Sequence, residues 1–223
     1  MGRLSNTVGL RLGHSLGWKS ENINYDARDA EVVEYVKDIC IYGVGENQLQ
    51  RPVSDVWFLT DKVEIRHSSN NVSIHINLYD TSTRSDLSEF VNESKLLVLE
   101  KYIVEELGRV YKKPVFVVFD FIQGEAVTAG LLSRYISIRL EQRVNLGEVV
   151  SSLRRLILSL PGVLGYRLDF SGRFTRRQRA TFRSIKVGQV PFSTLSASLD
   201  YSESFAVLKY GKCGIKVCLN REK

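Results

Sequence analysis

The 223-residue chain has no acidic side chain in residues 1–20 and none between Asp169 and Asp200. It holds only three cysteines, three histidines, four prolines and one methionine, and it has no glycine from Glu46 to Leu107. Cys40, Cys213 and Cys218 are too few, and odd in number, for a disulfide framework. Cys213 and Cys218 lie five apart in an alternating apolar run, where side chains point to opposite faces of a strand, so they do not share a metal. Buried free thiols in a reducing compartment are the expected state. His14, His67 and His75 are isolated, with no Cys-His or His-x-x-His spacing. No Walker loop, Gly-x-Ser-x-Gly elbow or zinc knuckle is present, and Gly43-Val44-Gly45 lacks the third glycine of a dinucleotide loop. The carboxylates Asp26, Asp29, Glu31, Glu34 and Asp38 read as a solvated helix face, because catalytic metals draw ligands from several elements. The apolar run Val115–Ile122 falls far short of the ~18 residues of a membrane span and contains Asp120. The N-terminus lacks an apolar signal core, and Asn6 stands where a myristoylation signal needs Ser or Thr. These absences lead to an expectation of no enzyme, metal, cofactor or membrane partner.

What is present is charge, unevenly placed. The net charge is +6. Residues 1–20 carry +3 from Arg3, Arg11 and Lys19; residues 21–125 carry −8 from 11 basic and 19 acidic side chains; residues 126–223 carry +11 from 17 basic and 6 acidic ones. A surface that needs only to be soluble has no use for such segregation. Polyphosphate rewards it, because each neutralised phosphate releases condensed counterions.

Periodicity gives the elements. Val32, Val33, Val36, Ile39 and Cys40 place a helix over Asp26–Ile41, with Asp26, Asp29 and Glu31 at its positive end. Asp55–Arg66 and Val72–Tyr79 read as strands joined by the turn Ser68-Ser69-Asn70-Asn71. A long helix follows from Ser85 or Asp86 to about Leu107, with Phe90, Leu97, Val98, Tyr102 and Leu107 as its inner stripe and Gly108 as its stop. Val115–Phe121 reads as a strand buried on both faces. Two helices, Val127–Arg143 and Gly147–Leu160, precede a strand at Leu164–Ser171 that Gly172 breaks. Residues 174–188 read as irregular or briefly helical, and Thr194–Tyr201, Phe205–Tyr210 and Gly214–Leu219 as strands. The fold class is α+β: an extended basic arm (1–20), a small α/β-layer domain (21–124), and a basic domain (125–223) of two helices on a mixed or antiparallel sheet.

The densest chemistry is Arg173, Arg176, Arg177, Arg179, Arg183 and Lys186, six cations in fourteen residues, five of them arginine. The planar guanidinium grips phosphate bidentately and stacks on bases. Phe174 and Phe182 interleave with these arginines; a core-anchor role is favoured for both over base stacking, which needs an exposed platform. Arg3, Arg11, Lys19, Arg143, Arg154 and Arg155 complete the candidate RNA-binding set.

The residues around this cluster resemble the small-subunit ribosomal protein S-three family. The resemblance is carried by Leu140-Glu141-Gln142-Arg143-Val144, by Gly165 to Arg173, by Gly188-Gln189-Val190-Pro191-Phe192-Ser193-Thr194-Leu195, by Leu199-Asp200-Tyr201 and by Tyr210 to Val217. Met1-Gly2-Arg3, Gly9-Leu10-Arg11-Leu12-Gly13 and Trp18 are similar to that family's N-terminus. The resemblance implies an N-terminal K-homology-like domain of type II and a C-terminal α+β domain in the head of the small subunit. It also implies small-subunit rRNA and, where messenger RNA (mRNA) enters the subunit, mRNA as nucleic-acid partners. The protein partners it implies are neighbouring head proteins of the S-ten and S-fourteen families, not a second copy of the chain. The N-terminal arm of that family reaches into ribosomal RNA.

Two departures stand out. A K-homology domain clamps backbone with a Gly-x-x-Gly loop, whereas here the loop is Asp80-Thr81-Ser82-Thr83-Arg84-Ser85. With −8 on its segment, this degenerate domain is expected to dock protein rather than RNA. The family's basic cluster early in the second C-terminal helix is replaced by Gly147-Glu148-Val149-Val150-Ser151, with Arg154 and Arg155 later. Such erosion points to an organellar, in particular mitochondrial, ribosome, with other organellar or cytosolic ribosomes as alternatives. No Arg-rich presequence precedes the family-like N-terminus, the expectation for synthesis inside the organelle. The alternative function is a non-ribosomal RNA-binding module or a small-subunit assembly factor.

Overall fold

A computed structural model describes residues 5–14, 28–43, 58–80, 86–121, 127–176 and 178–222. The chain divides into two compact units, Ser20–Ile122, and Met1–Lys19 together with Gln123–Lys223. The described part of the N-terminal residues thus belongs to the basic unit. Residues 5–14 do not run as an extended arm: they contain one helical turn, α1 (Val8–Arg11), packed beside the C-terminal sheet.

In the acidic unit, α2 (Asp29–Tyr42) is followed by β1 (Phe58–His67), β2 (Val72–Asp80), α3 (Asp86–Tyr111) and β3 (Val115–Phe121). The sheet order is β1-β2-β3, with β1 antiparallel and β3 parallel to β2. Val72, Ile74, Ile76 and Leu78 alternate into a core with Val32, Val36 and Ile39 of α2 and Leu99, Ile103 and Leu107 of α3. The β1–β2 turn closes as its residue types dictate, with the Ser68 N–H donating to the Asn71 carbonyl at 2.8 Å.

Two expectations fail here. Helix α3 runs through Gly108 to Tyr111, and Lys112 (φ 53°) makes the left-handed stop before Pro114. Its buried stripe is Leu99, Ile103 and Leu107, while Leu97 and Val98 are exposed, so the expected phase was displaced. Strand β3 is buried on one face only. It ends the described sheet, and Phe116 and Val118 stand 55% and 41% exposed on the side away from the helices.

The Asp29 carboxylate, expected on a solvated face, is buried. One oxygen lies 2.8 Å from His67 Nε2, and the other accepts from the Tyr111 hydroxyl at 2.7 Å. This ties the start of α2 to the ends of β1 and α3. Tyr111 also packs edge-on against the His67 ring, with centroids 5.3 Å apart. Burying a carboxylate is offset only by such bonds.

In the basic unit, α4 (Ala129–Glu141) and α5 (Leu146–Ser159) precede β4 (Val163–Gly172), β5 (Thr181–Gly188), β6 (Ser198–Leu208) and β7 (Gly211–Arg221). All pairings are antiparallel, in the order β5-β4-β7-β6. Residues 181–188 are a regular edge strand, where an irregular or briefly helical segment was expected. Ser198–Leu208 is one strand rather than two. Leu168, Phe170, Ile215, Val217 and Leu219 form the inner face, against Leu132, Ile136, Val149, Leu153 and Ile157 of the helices. The opposite face is covered at one end by Val8, Val190, Phe192 and Ala197, which pack on Leu199, Tyr201 and Cys218. Cys213 and Cys218 thus face opposite sides of β7, both reduced and buried.

Replacing Asp29 with Ala removes the acceptor of two buried bonds and is expected to cost about 2–4 kcal/mol of stability. Chemical denaturation reads this directly; a loss under about 0.5 kcal/mol would show that the triad holds nothing together.

Candidate nucleic-acid interface

Helix α4 is pinned to β6 at both ends. At its start the Thr128 Oγ1 accepts from the Leu131 N–H at 3.2 Å, and the Asp200 carboxylate accepts from the Ala129 N–H at 2.6 Å. At its end the Glu141 carboxylate accepts from the Val207 N–H at 3.0 Å. Between them Ser133 and Ser202 hydroxyls meet at 3.0 Å, and the small side chains allow close approach.

The helix then stops in a left-handed turn. The Arg143 N–H donates to the Leu140 carbonyl at 2.9 Å and the Val144 N–H to the Arg139 carbonyl at 3.1 Å, the paired bonds of a Schellman stop. Arg143 occupies the left-handed position (φ 62°) that glycine ordinarily fills. A Cβ there costs about 1 kcal/mol. That strain buys an exposed guanidinium at this point of the surface.

Across from the turn, Gly172 (φ 144°) ends β4 where any Cβ would lie 2.6 Å from Cys213 Sγ. It releases the chain into the arginine loop. Phe174 turns back edge-to-face on Phe170 at 6.3 Å and anchors the loop to the core. The Arg173 guanidinium lies 4.9 Å over the Tyr210 ring and donates to the Arg176 carbonyl at 3.1 Å. The loop is thereby fastened to the β6–β7 hairpin, which brings Lys209 alongside.

These elements enclose a groove of about 1190 Å³ lined by Arg143, Arg176, Arg183, Lys209, Phe174 and Tyr210, with the α4–α5 turn along one wall. It exceeds the roughly 300–1,000 Å³ usual for small-molecule pockets. Four cations line it against a single acid, Glu141, whose carboxylate already accepts from Val207. Three arginines and a lysine beside aromatic rings are the residue types that suit a phosphate backbone.

The candidate cations sort as follows. Arg143, Arg176 and Arg183 meet in the groove, with Arg173 behind them. Arg179 is exposed on the same loop. Lys186 is exposed but on the other face of β5 from Arg183, three residues along an alternating strand. Arg154 and Arg155 are exposed on α5 and do not line the groove. Arg3, Lys19 and Arg177 lie outside the described residues. Arg11 is withdrawn from solvent entirely: its guanidinium donates to the carbonyls of Thr7, Pro191, Phe192, Thr194 and Ala197, at 3.1, 3.3, 3.0, 2.8 and 3.2 Å. An arginine so buried offers no N–H to phosphate; it staples α1 to the 191–197 loop. Lys209 and Tyr210 were missed as site residues, because only the hairpin's return brings them to the arginine loop.

Burial pushes the Cys40 thiol up to about 12 and the Cys218 thiol up to about 11, and it raises Cys213 as well. Thiols held there are not nucleophiles near neutral pH. Among the described residues no group of three metal-ligating side chains gathers, and no helix is long and apolar enough to cross a membrane.

The family model for the C-terminal domain of ribosomal protein S3 matches residues 136–219, the stretch that builds the groove. Small ribosomal subunit protein uS3 of Alder yellows phytoplasma is 31% identical over 222 residues, covering 99% of this chain and 83% of its own. This chain belongs to the uS3 family. Small ribosomal subunit protein uS3c of Euglena longa is 26% identical, over 99% of this chain and all of its own length. The uS3m protein of Acanthamoeba castellanii is 40% identical over 95 residues, 41% of this chain and 32% of its own. The uS3 family is structural and not enzymatic.

Arg143 separates stability from binding. Arg143→Gly is expected to raise stability by about 0.5–1 kcal/mol, by relieving the left-handed strain, while weakening RNA binding. Denaturation and a binding titration on one preparation check both signs; a destabilised variant would refute the strain argument.

Proposed function

We propose that this chain is a structural constituent of the small ribosomal subunit that holds small-subunit rRNA in the groove between the α4–α5 turn, the arginine loop and the β6–β7 hairpin. The observation that carries the reading is the convergence of Arg143, Arg176, Arg183 and Lys209 from separate elements on one groove, inside the stretch matched by the family model. The relatives, all small ribosomal subunit proteins, support it.

Finer points of the proposal follow from the family. The chain sits in the head of the subunit, near incoming mRNA and beside proteins of the S-ten and S-fourteen families. The Ser20–Ile122 unit is a degenerate K-homology-like domain of type II. Its support is the order helix–strand–strand–helix–strand on a sheet whose middle strand pairs antiparallel on one side and parallel on the other. With no Gly-x-x-Gly and a surplus of carboxylates, it faces protein. The basic cluster that would meet mRNA is replaced around Gly147 and Glu148, so unwinding at that point is not assigned to this chain. The ribosome is a mitochondrial one; the 40% identity to the uS3m protein over 95 residues is in keeping with this.

Sedimentation of an organelle-enriched lysate tests the assembly. Stoichiometric co-migration with small-subunit rRNA, lost on ribonuclease treatment, is expected; a mainly free pool would refute it. In purified protein, Arg176→Ala, Arg179→Ala and Arg183→Ala together should flatten the salt dependence of RNA binding by ~0.7 to 0.9 per lost phosphate contact. An unchanged slope would sink the assignment of the groove.

A further inference from the structure

Beyond the groove, the same sheet has a second surface. Directly paired residues on neighbouring strands point to one face. Phe182 on β5 pairs with Ser171 on β4, Ser171 with Gly214 on β7, and Gly214 with Phe205 on β6. These four form one row across the whole sheet, on the face away from α4 and α5, since Phe170 beside Ser171 is fully buried inward. The layer of α1 and residues 190–197 covers the other end of this face and leaves this row open. Phe182 is 51% and Phe205 60% exposed. The two rings stand at the edges, three strand spacings or ~14 Å apart, and the floor between them is kept low by serine and glycine. Phe182 is therefore not the core anchor that its sequence neighbourhood favoured; of the two loop phenylalanines only Phe174 is.

The surroundings are cationic. The Lys212 ammonium lies 4.7 Å over the Phe205 ring, and Lys186 and Lys216 stand on the same face. Against them is Glu203, 3.7 Å from Lys216, while Asp169 beneath accepts from Arg167 Nε and Nη2, each at 3.0 Å. A protein partner would ask for a broad contiguous apolar area, whereas here Phe182 stands apart from the exposed Phe205 and Val207 across a small polar floor bordered by lysines. Separated exposed rings with flanking cations on an antiparallel sheet suit unpaired bases of a single RNA strand, with phosphates between them.

We propose that this open face is a stacking platform for single-stranded RNA, distinct from the groove on the helix side, with one base on Phe182 and another on Phe205. The proposal rests on the reading that the chain binds RNA, but it assigns a different contact. Stacking contributes through the base and not the charge, so its loss lowers affinity without changing the salt slope.

The test uses the full chain and a short single-stranded oligoadenylate, titrated at several salt concentrations. Phe182→Ala and Phe205→Ala should each weaken binding about fivefold or more, with the salt slope unchanged. Phe205→Trp should restore affinity, and its emission should be quenched by the oligomer. An abasic oligomer of equal length should bind wild type and both alanine variants alike. If the double alanine variant binds as tightly as the unaltered chain while the groove arginine variant flattens the slope, the platform is refuted and the groove reading stands. If the double variant binds RNA normally but fails to join small subunits, the face serves a protein and the proposal is overturned. If the unaltered chain binds no RNA, the parent reading falls and takes the platform with it.

Discussion

The N–H of Ala129 donates to the Asp200 carboxylate, and the Glu141 carboxylate takes the N–H of Val207, so strand β6 grips helix α4 at both ends. A helix held this way cannot slide along its strand, and its last residue is set directly over the β6–β7 hairpin. Arg143, two residues beyond the helix, inherits that position. The arginine loop is located independently, by the close approach of Gly172 to Cys213 and by the stack of Arg173 on Tyr210. The groove is thus an intersection of two constraints, each satisfied by bonds within the sheet. Cations carried on an anchored backbone lose less entropy on binding than cations on a free loop. This distinguishes the site from a merely basic surface.

The buried Arg11 shows what net charge conceals. In the sequence it is one more cation in an acid-free N-terminal stretch; in the fold it closes five main-chain carbonyls and holds α1 against the 191–197 loop. A lysine has three donors on a point charge and cannot replace a planar fork that reaches carbonyls on both of its sides. The first and last parts of the chain are therefore one folding unit, with the acidic unit inserted between them. That insertion explains the sign pattern along the chain, +3, −8, +11, as two units rather than three segments.

Much of this was legible because its causes are local. Helix α2, the β1–β2 hairpin and helices α4 and α5 follow from apolar spacing and turn chemistry within a few residues. The failures have non-local causes. Thr181–Gly188 offers only Ile185 and Val187 in alternation, too short a run to announce a strand, and it is held as an edge strand by pairing with β4. The apolar run of β3 looked central, yet it borders the described sheet, and Phe116 and Val118 are left on its outer side. In α3, Leu97 and Val98 are as apolar as Leu99, so sequence could not say which one the sheet would cover. The arginine cluster was plain from composition alone. Its partners Arg143 and Lys209 belong to the groove only through tertiary structure, although the unusual non-glycine stop at Arg143 marks the spot once its backbone is known.

The two faces of the C-terminal sheet now carry different chemistry, and antiparallel alternation is the reason. Along β5, Arg183 goes to the helix side and Phe182 to the open side, so consecutive residues serve opposite surfaces. Charge on one face reads backbone without regard to base; rings on the other need an unpaired base to stack. An RNA segment that changes from paired to unpaired as it passes the β5 edge would meet each surface in the form that surface can hold. On the open side the layer of α1 and residues 190–197 stops before Ser171, whereas α4 on the other side runs from Asp200 to Val207, nearly the length of β6. The row of Phe182 and Phe205 could not be open if the α1 layer ran the full length of the strands, so the incompleteness of that packing matters as much as the residues it leaves in view.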